Sequence, residues 1–95
     1  MSVLNIVFTT IKDDEKLHAY IKAAGPLMKE NGGEVLLRGK YLSSLFGDTK
    51  NGHLAAVFRF PDMNAAENFY NCDAYRELIP LRDAGGDISF DFYEE

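Results

Sequence analysis

The chain has no tryptophan, a single cysteine, two histidines and three prolines in 95 residues. Cys72 alone cannot close an internal disulfide, which points to a reducing compartment. His18 and His53 lie on different elements without a matching carboxylate or thiolate spacing, so no metal site is expected. Concentrated positive charge is also missing: ten Lys and Arg, scattered singly from Lys12 to Arg82, face fifteen Asp and Glu, for a formal net charge of -5. Phosphate backbones and anionic lipids need a dense basic face, so neither nucleic acid nor membrane is an expected partner. No apolar run approaches the about 18 residues of a membrane span, and Met1-Ser2-Val3-Leu4-Asn5 lacks the basic start and apolar stretch of an export signal. The expected location is cytoplasmic. Gly32-Gly33 follows a helix where a phosphate cradle would open one, and no bound cofactor is expected.

What is present suffices for one core. Hydrophobic residues make up 46% and aromatics 13% of the chain, enough apolar area to offset the entropy of ordering a single domain over residues 1–95.

Val3 to Thr10 is apolar and β-branched on both of its alternating faces, as in a strand buried on two sides. Asp13 or Asp14 can cap a following helix, in which Leu17, Tyr20, Ile21, Ala24, Leu27 and Met28 recur at three- and four-residue spacing. Gly25-Pro26 predicts a kink within that helix, since proline removes a donor. Asn31-Gly32-Gly33 ends it with residues that tolerate positive φ. Glu34 to Lys40 reads as a second strand, continuing irregularly to Phe46, and Gly47 to Gly52 as a turn. His53 to Phe60 is the return strand of this hairpin. Pro61-Asp62 starts a second helix with Ala66, Phe69 and Tyr70 on one face, and Asn64 with Glu67 offers an alternative capping box. Asp73 restarts a helical segment that Pro80 interrupts and Gly85-Gly86 ends. Asp87 to Glu94 is a strictly alternating last strand. The order β-α-β-β-α-β is the split βαβ, ferredoxin-like arrangement: an α+β domain with both helices on one side of an antiparallel sheet.

Alternation then assigns two faces. Leu4, Ile6, Phe8, Leu54, Phe58, Phe60, Ile88, Phe90 and Phe92 are expected under the helices. Asn5, Val7, Thr9, Ala55, Val57, Arg59, Ser89, Asp91 and Tyr93 are expected on the other face. That second face is mixed, with an apolar patch around Val7 and Val57, and a twin subunit is the expected cover. Asn5, Arg38, His53, Arg59, Asp91 and Tyr93 are accordingly expected to point into one cavity between two sheets. There Arg38 or Arg59 could hold a carboxylate bidentately, while His53 and Tyr93 are candidate catalytic groups, His53 as acid or base near neutral pH. The alternative is structural: Arg59 paired with Asp91, and His53 solvated at a strand start.

Asn31 to Gly39 (Asn-Gly-Gly-Glu-Val-Leu-Leu-Arg-Gly), Phe60-Pro61-Asp62-Met63 leading to Asn68-Phe69-Tyr70, and Tyr75 to Arg82 (Tyr-Arg-Glu-Leu-Ile-Pro-Leu-Arg) resemble the bacterial family called domain of unknown function 1330. The likeness spans nearly the whole chain. It implies a dimeric α/β-barrel in which two ferredoxin-like sheets close face to face, and it adds Tyr70, Tyr75 and Arg82 as candidate ligand-binding residues at a pocket edge; helical spacing explains the two tyrosines equally well as core. Cys72-Asp73-Ala74-Tyr75 departs from the family's Ser-Pro-Glu-Tyr, and Asp48 to Leu54 lacks its Trp-Pro pattern. Two functions fit the pattern. One is a cofactor-independent enzyme, oxygenase- or isomerase-like, acting on a small organic molecule. The other is a non-catalytic ligand-binding or stress-related dimer.

Overall fold

The computed structural model describes residues 1–47 and 53–95. The elements run β1 (Val3–Ile11), α1 (Asp14–Glu30), β2 (Glu34–Lys40), β3 (Leu54–Phe60), α2 (Met63–Asn71), α3 (Asp73–Arg76), α4 (Ile79–Gly85) and β4 (Gly86–Glu94). The strands form one antiparallel sheet in the order β2-β3-β1-β4, the ferredoxin-like α+β architecture expected from the element order. None of the helices among the described residues is long and apolar enough to cross a membrane.

Local chemistry sets the element ends. Asp13 caps α1 by accepting from the Lys16 N–H at 3.0 Å, and Asp62 caps α2 by accepting from the Ala65 N–H at 2.8 Å; each satisfies a donor that the helix leaves free. The Asn64 and Glu67 alternative is not used. α1 runs unbroken through Pro26, so no interruption marks that position. Gly32 takes φ +85 and lets the Gly33 N–H reach the Met28 carbonyl at 2.9 Å, closing the helix. β2 stops at Lys40 and does not continue to Phe46. Much of the turn expected from Gly47 to Gly52 lies outside the described residues. The second helical region is three pieces: Cys72 separates α2 from α3, and Pro80 sits in the first turn of α4, where its missing N–H is harmless.

One face assignment is overturned. Val3, Asn5, Val7 and Thr9 of β1 are buried under the helices, while Leu4, Ile6 and Phe8 are half-buried on the opposite face. Register makes this unambiguous, because Asn5 stands opposite Phe58 and Phe92, and Val7 opposite Ala56 and Phe90. The phases expected for β3 and β4 hold; that of β1 is reversed. β1 is central and apolar on both faces, so alternation carried no sign, and Asn5 is buried because it has a partner there. The open face therefore carries Leu4, Ile6, Phe8, Val57, Arg59 and Tyr93, and is more apolar than the expected one.

The core lies between helices and sheet, built on Leu17, Tyr20, Met28, Phe60, Phe69 and Tyr75. Burial of such side chains is worth about 1.5–3 kcal/mol each. α1 approaches α4 closely because position 85 has no side chain. A Cβ there would sit 2.7 Å from the Leu17 backbone, and the Gly85 carbonyl accepts from the Lys12 and Asp13 N–H groups at 2.9 and 3.0 Å. Gly85→Ala should therefore cost about 1–3 kcal/mol through overpacking. Gly39→Ala, with nothing within 4 Å of the added methyl, should stay within about 0.5 kcal/mol of the parent. Denaturant melts of the two variants check the contrast; equal midpoints would contradict the tight α1–α4 contact.

Candidate functional site

The sheet's helix-covered side gathers a polar chain inside an aromatic shell. Asn5, fully buried in the central strand, donates its amide to the Tyr70 hydroxyl in a short hydrogen bond. The other side-chain atom of that amide, Oδ1, is buried without a partner. Nearby, the Tyr20 and Tyr75 hydroxyls lie 2.8 Å apart, and Arg82 donates to the Tyr75 hydroxyl at 3.2 Å. The Arg82 guanidinium also stands over the Tyr75 and Phe90 rings at 5.9 and 5.8 Å, a favourable cation–π arrangement.

Tyr70 is the hub. Its ring centroid is 4.6 Å from Phe69, 5.1 Å from Tyr75 and 4.8 Å from Phe90. Ring packing of this kind adds about 0.5–1.5 kcal/mol per pair beyond burial and holds the hydroxyl in place. Burial pushes the Tyr70 and Tyr20 hydroxyls well above the ordinary tyrosine range, the nearby Tyr75 adding to the effect at both. Both remain protonated at neutral pH, so each keeps a proton to donate and neither is a base.

Two hollows meet at this hub, and a groove adjoins one of them. A groove of about 390 Å³ runs beside α1 over β2 and β3, with Ile21, Arg38, Leu54 and Phe58 in its walls. It shares Ile21, Arg38 and Phe58 with a chamber of about 80 Å³ bounded by Tyr20, Tyr70 and Phe90. On the far side of Tyr70 a third hollow of about 260 Å³ is lined by Glu67, Tyr75, Arg82 and Phe92.

Asn5, Arg38, His53, Arg59, Asp91 and Tyr93 do not share one face of the sheet. Asn5 and Arg38 are on the helix side, the latter because it stands opposite Ala56. Arg59, Asp91 and Tyr93 are on the open face. His53 is exposed at the end of the sheet, where its Nδ1 accepts from the Ile11 N–H at 2.7 Å, which places its ring proton on Nε2 in that pairing. Tyr70, Tyr75 and Arg82 do come together, with Asn5. Tyr20 was missed as a polar group, because its place on the apolar stripe of α1 explained it as core; its only signal was a hydroxyl on an otherwise apolar face.

Arg59 does not pair with Asp91 either. It holds Glu95 bidentately, Nε to Oε1 at 2.6 Å and Nη2 to Oε2 at 2.9 Å, and donates to Glu34 at 3.2 Å. Strand register puts Glu34 directly opposite Arg59, a pairing that sequence distance conceals. The Arg59 fork and the Ser2 hydroxyl together lower the Glu95 carboxyl to about 2.

A family model described as domain of unknown function (DUF1330) matches residues 2–94. No curated protein matches. Among solved structures, the chain is similar to the RPA0582 protein of unknown function from Rhodopseudomonas palustris, at 18% identity and a TM-score of 0.88, over 99% of this chain and 82% of that one. It is similar to SnoaB, a cofactor-independent oxygenase from Streptomyces nogalater, at 8% identity and 0.72, over 99% and 92%. A dimeric ferredoxin-like protein of unknown function from Thermobifida fusca matches at 13% identity and 0.64, over 98% and 90%. Likeness at these identities shows the fold alone.

Two measurements follow from the geometry. Tyr70→Phe should cost about 1–3 kcal/mol by stranding the Asn5 amide, and Asn5→Leu combined with Tyr70→Phe should be less damaging than the two single costs added. Strict additivity in a denaturation double-mutant cycle would refute the coupling. For Glu95 the folded carboxyl titrates lower than the unfolded one, near 4.3. Its contribution to stability is thus complete above that pH and is lost as pH falls toward 2. Carboxyl NMR titration should find the low midpoint in the parent and a midpoint raised toward the ordinary carboxylate range in Arg59→Gln, the Ser2 hydrogen bond remaining.

Proposed function

We propose that this chain, which belongs to the DUF1330 family, is a homodimer that takes a small planar organic molecule with a carbonyl or phenolic oxygen into the helix–sheet cavity and converts it without a bound cofactor. The observation that carries this reading is the buried Asn5–Tyr70 pair with its unpartnered amide oxygen, beside the Tyr20–Tyr75–Arg82 chain. Tyr70 accepts from Asn5 and retains its own proton to donate. A fixed donor in an apolar wall stabilises negative charge that develops on a substrate oxygen, as in an enolate or phenolate. His53 lies away from this cluster, and burial holds Tyr20 and Tyr70 protonated. The reading therefore draws on the acidity of the substrate itself, whose proton passes to water, and suits the reaction of the resulting electron-rich phenolate with molecular oxygen or an isomerisation in which water returns the proton. SnoaB, described as a cofactor-independent oxygenase, supports the capacity of the fold for such chemistry and says nothing of residues.

A non-catalytic binding dimer is the second reading. It is favoured by the size of the chamber at the tyrosines, about 80 Å³, well below the about 300 Å³ at which small-molecule sites begin. The substrate body would then occupy the adjoining groove.

Dimerisation is proposed through the open face, where Leu4, Ile6, Phe8 and Val57 are half-buried and Leu37 and Tyr93 are 60% and 57% exposed. An apolar patch of this kind is rarely left to water. A second copy would supply matching chemistry, as the dimeric Thermobifida fusca neighbour suggests.

Sedimentation should report twice 10.7 kDa, and Ile6→Asp should release monomers, since a buried unpaired charge is costly; a dimer that survives Ile6→Asp unchanged places the interface elsewhere. For the reaction, phenols and enolisable carbonyls are offered with oxygen uptake and product formation followed. Tyr70→Phe, checked for a cooperative melt, should lose turnover by about tenfold or more. Turnover equal to the parent's would sink the assignment.

A further inference from the structure

Arg38 is the charged residue that the groove beside α1 shares with the chamber at Tyr70, and among the described residues it has no ion-pair partner. The ion pairs among the described residues join Lys12 to Asp87, Arg59 to Glu34 and Glu95, and Arg82 to Asp83; none involves Arg38 or Lys40. In a chain of net charge -5, two cations that have no ion-pair partner among the described residues and line one hollow make it a local positive site in an acidic surround. Thr9 adds a hydroxyl to the same wall, while Ile21, Leu54 and Phe58 make the rest apolar.

We propose that this groove is a carboxylate subsite, and that it selects planar organic acids whose charged end lies on Arg38 and whose apolar body lies against Phe58 and Ile21. The guanidinium fork matches a carboxylate bidentately and is always charged, whereas Lys40 offers a point charge at the outer end. A volume of about 390 Å³ is within the range of small-ligand sites. Because Arg38 also borders the chamber, an acid bound there directs its far end toward the Tyr70 hydroxyl. That last orientation rests on the function proposed above, and names its substrate class: aryl acids that carry a phenolic or carbonyl oxygen away from the carboxylate. The carboxylate subsite itself rests on Arg38 and the groove.

The test uses naphthoate and its neutral counterpart naphthamide, titrated into the whole protein with amide NMR. Naphthoate should shift the resonances of Gly39, Ala55 and Ala56, and naphthamide should bind about tenfold or more weakly. Arg38→Ala should weaken naphthoate by at least that factor while leaving naphthamide unchanged, and Arg38→Lys should fall between. Arg38 is exposed on the edge strand, and a thermal melt verifies that each variant folds. Equal binding of acid and amide, indifference to Arg38→Ala, shifts confined to other surfaces, or no binding at millimolar concentration would each overturn the proposal. So would competition by inorganic phosphate at similar concentration, since the groove would then read charge without an apolar body. Tyr70→Phe separates the two ideas: it should leave naphthoate affinity intact even where it abolishes turnover.

Discussion

The hydrogen bond from the Asn5 amide to the Tyr70 hydroxyl fastens α2 to the middle of the sheet, and the interior is arranged around it. Asn5 is fully buried in the strand that carries both β3 and β4, where an unpaired amide would be expensive. Tyr70 reaches it from a helix more than sixty residues away in the chain. Once the hydroxyl is committed there, the Tyr70 ring must stand between Phe69, Tyr75 and Phe90, and this ring is what divides the interior space into a groove and chamber on one side and a hollow under Arg82 on the other. Because one pair of polar groups sets both the packing and the partition, loss of the Asn5 amide or of the Tyr70 ring acts on stability and on the partition of the interior together.

The two faces of the sheet carry separate tasks. The helix side holds Asn5, Arg38, Tyr70, Tyr75 and Arg82; the open side holds the apolar patch and the Arg59–Glu95–Glu34 cluster, whose charges are solvent-accessible and hold strand ends together. Exposed ion pairs of this kind contribute little to stability, but they fix the edge of a surface that is otherwise apolar. A dimer formed through the open face would leave the groove at Arg38 accessible, so the assembly and the ligand site need not compete for the same side chains. Alternation alone merges them on one face, because it reverses the phase of β1, which carries Asn5, and sets Arg38 of β2 on the wrong side.

How far the fold was legible follows from the physics of each element. Helix caps at Asp13 and Asp62 are local, and were readable from a few residues. β3 and β4 alternate apolar with polar or small residues, so their phase was readable too. β1 is buried toward helices on one face and half-buried on the other, and hydrophobicity gives such a strand no direction; only register across β3 and β4 settles it. The tyrosines were readable as an amphipathic stripe, but not as a hydroxyl network, because that depends on how α2, α3 and α4 turn at Cys72 and Pro80. Arg59 could be seen to need an acid, and its choice of Glu34 and Glu95 over Asp91 was decided by pairing that sequence proximity does not encode.

Asn5 is where the local and global preferences of this sequence conflict. Asparagine is a poor strand residue, and one placed at the centre of a sheet with an unpartnered oxygen weakens the fold it anchors. Valine there, with phenylalanine at position 70, would pack against Phe58 and Phe92 without stranding a polar atom, so stability alone gives no reason for the amide–hydroxyl pair. The amide gains a meaning if the oriented Tyr70 hydroxyl is what the position is for. Local rules broken at a buried position, with a directed donor as the result, are the pattern expected of a site and not of a core. By that argument the weakest strand residue of β1 is the strongest pointer in the chain to the site proposed above.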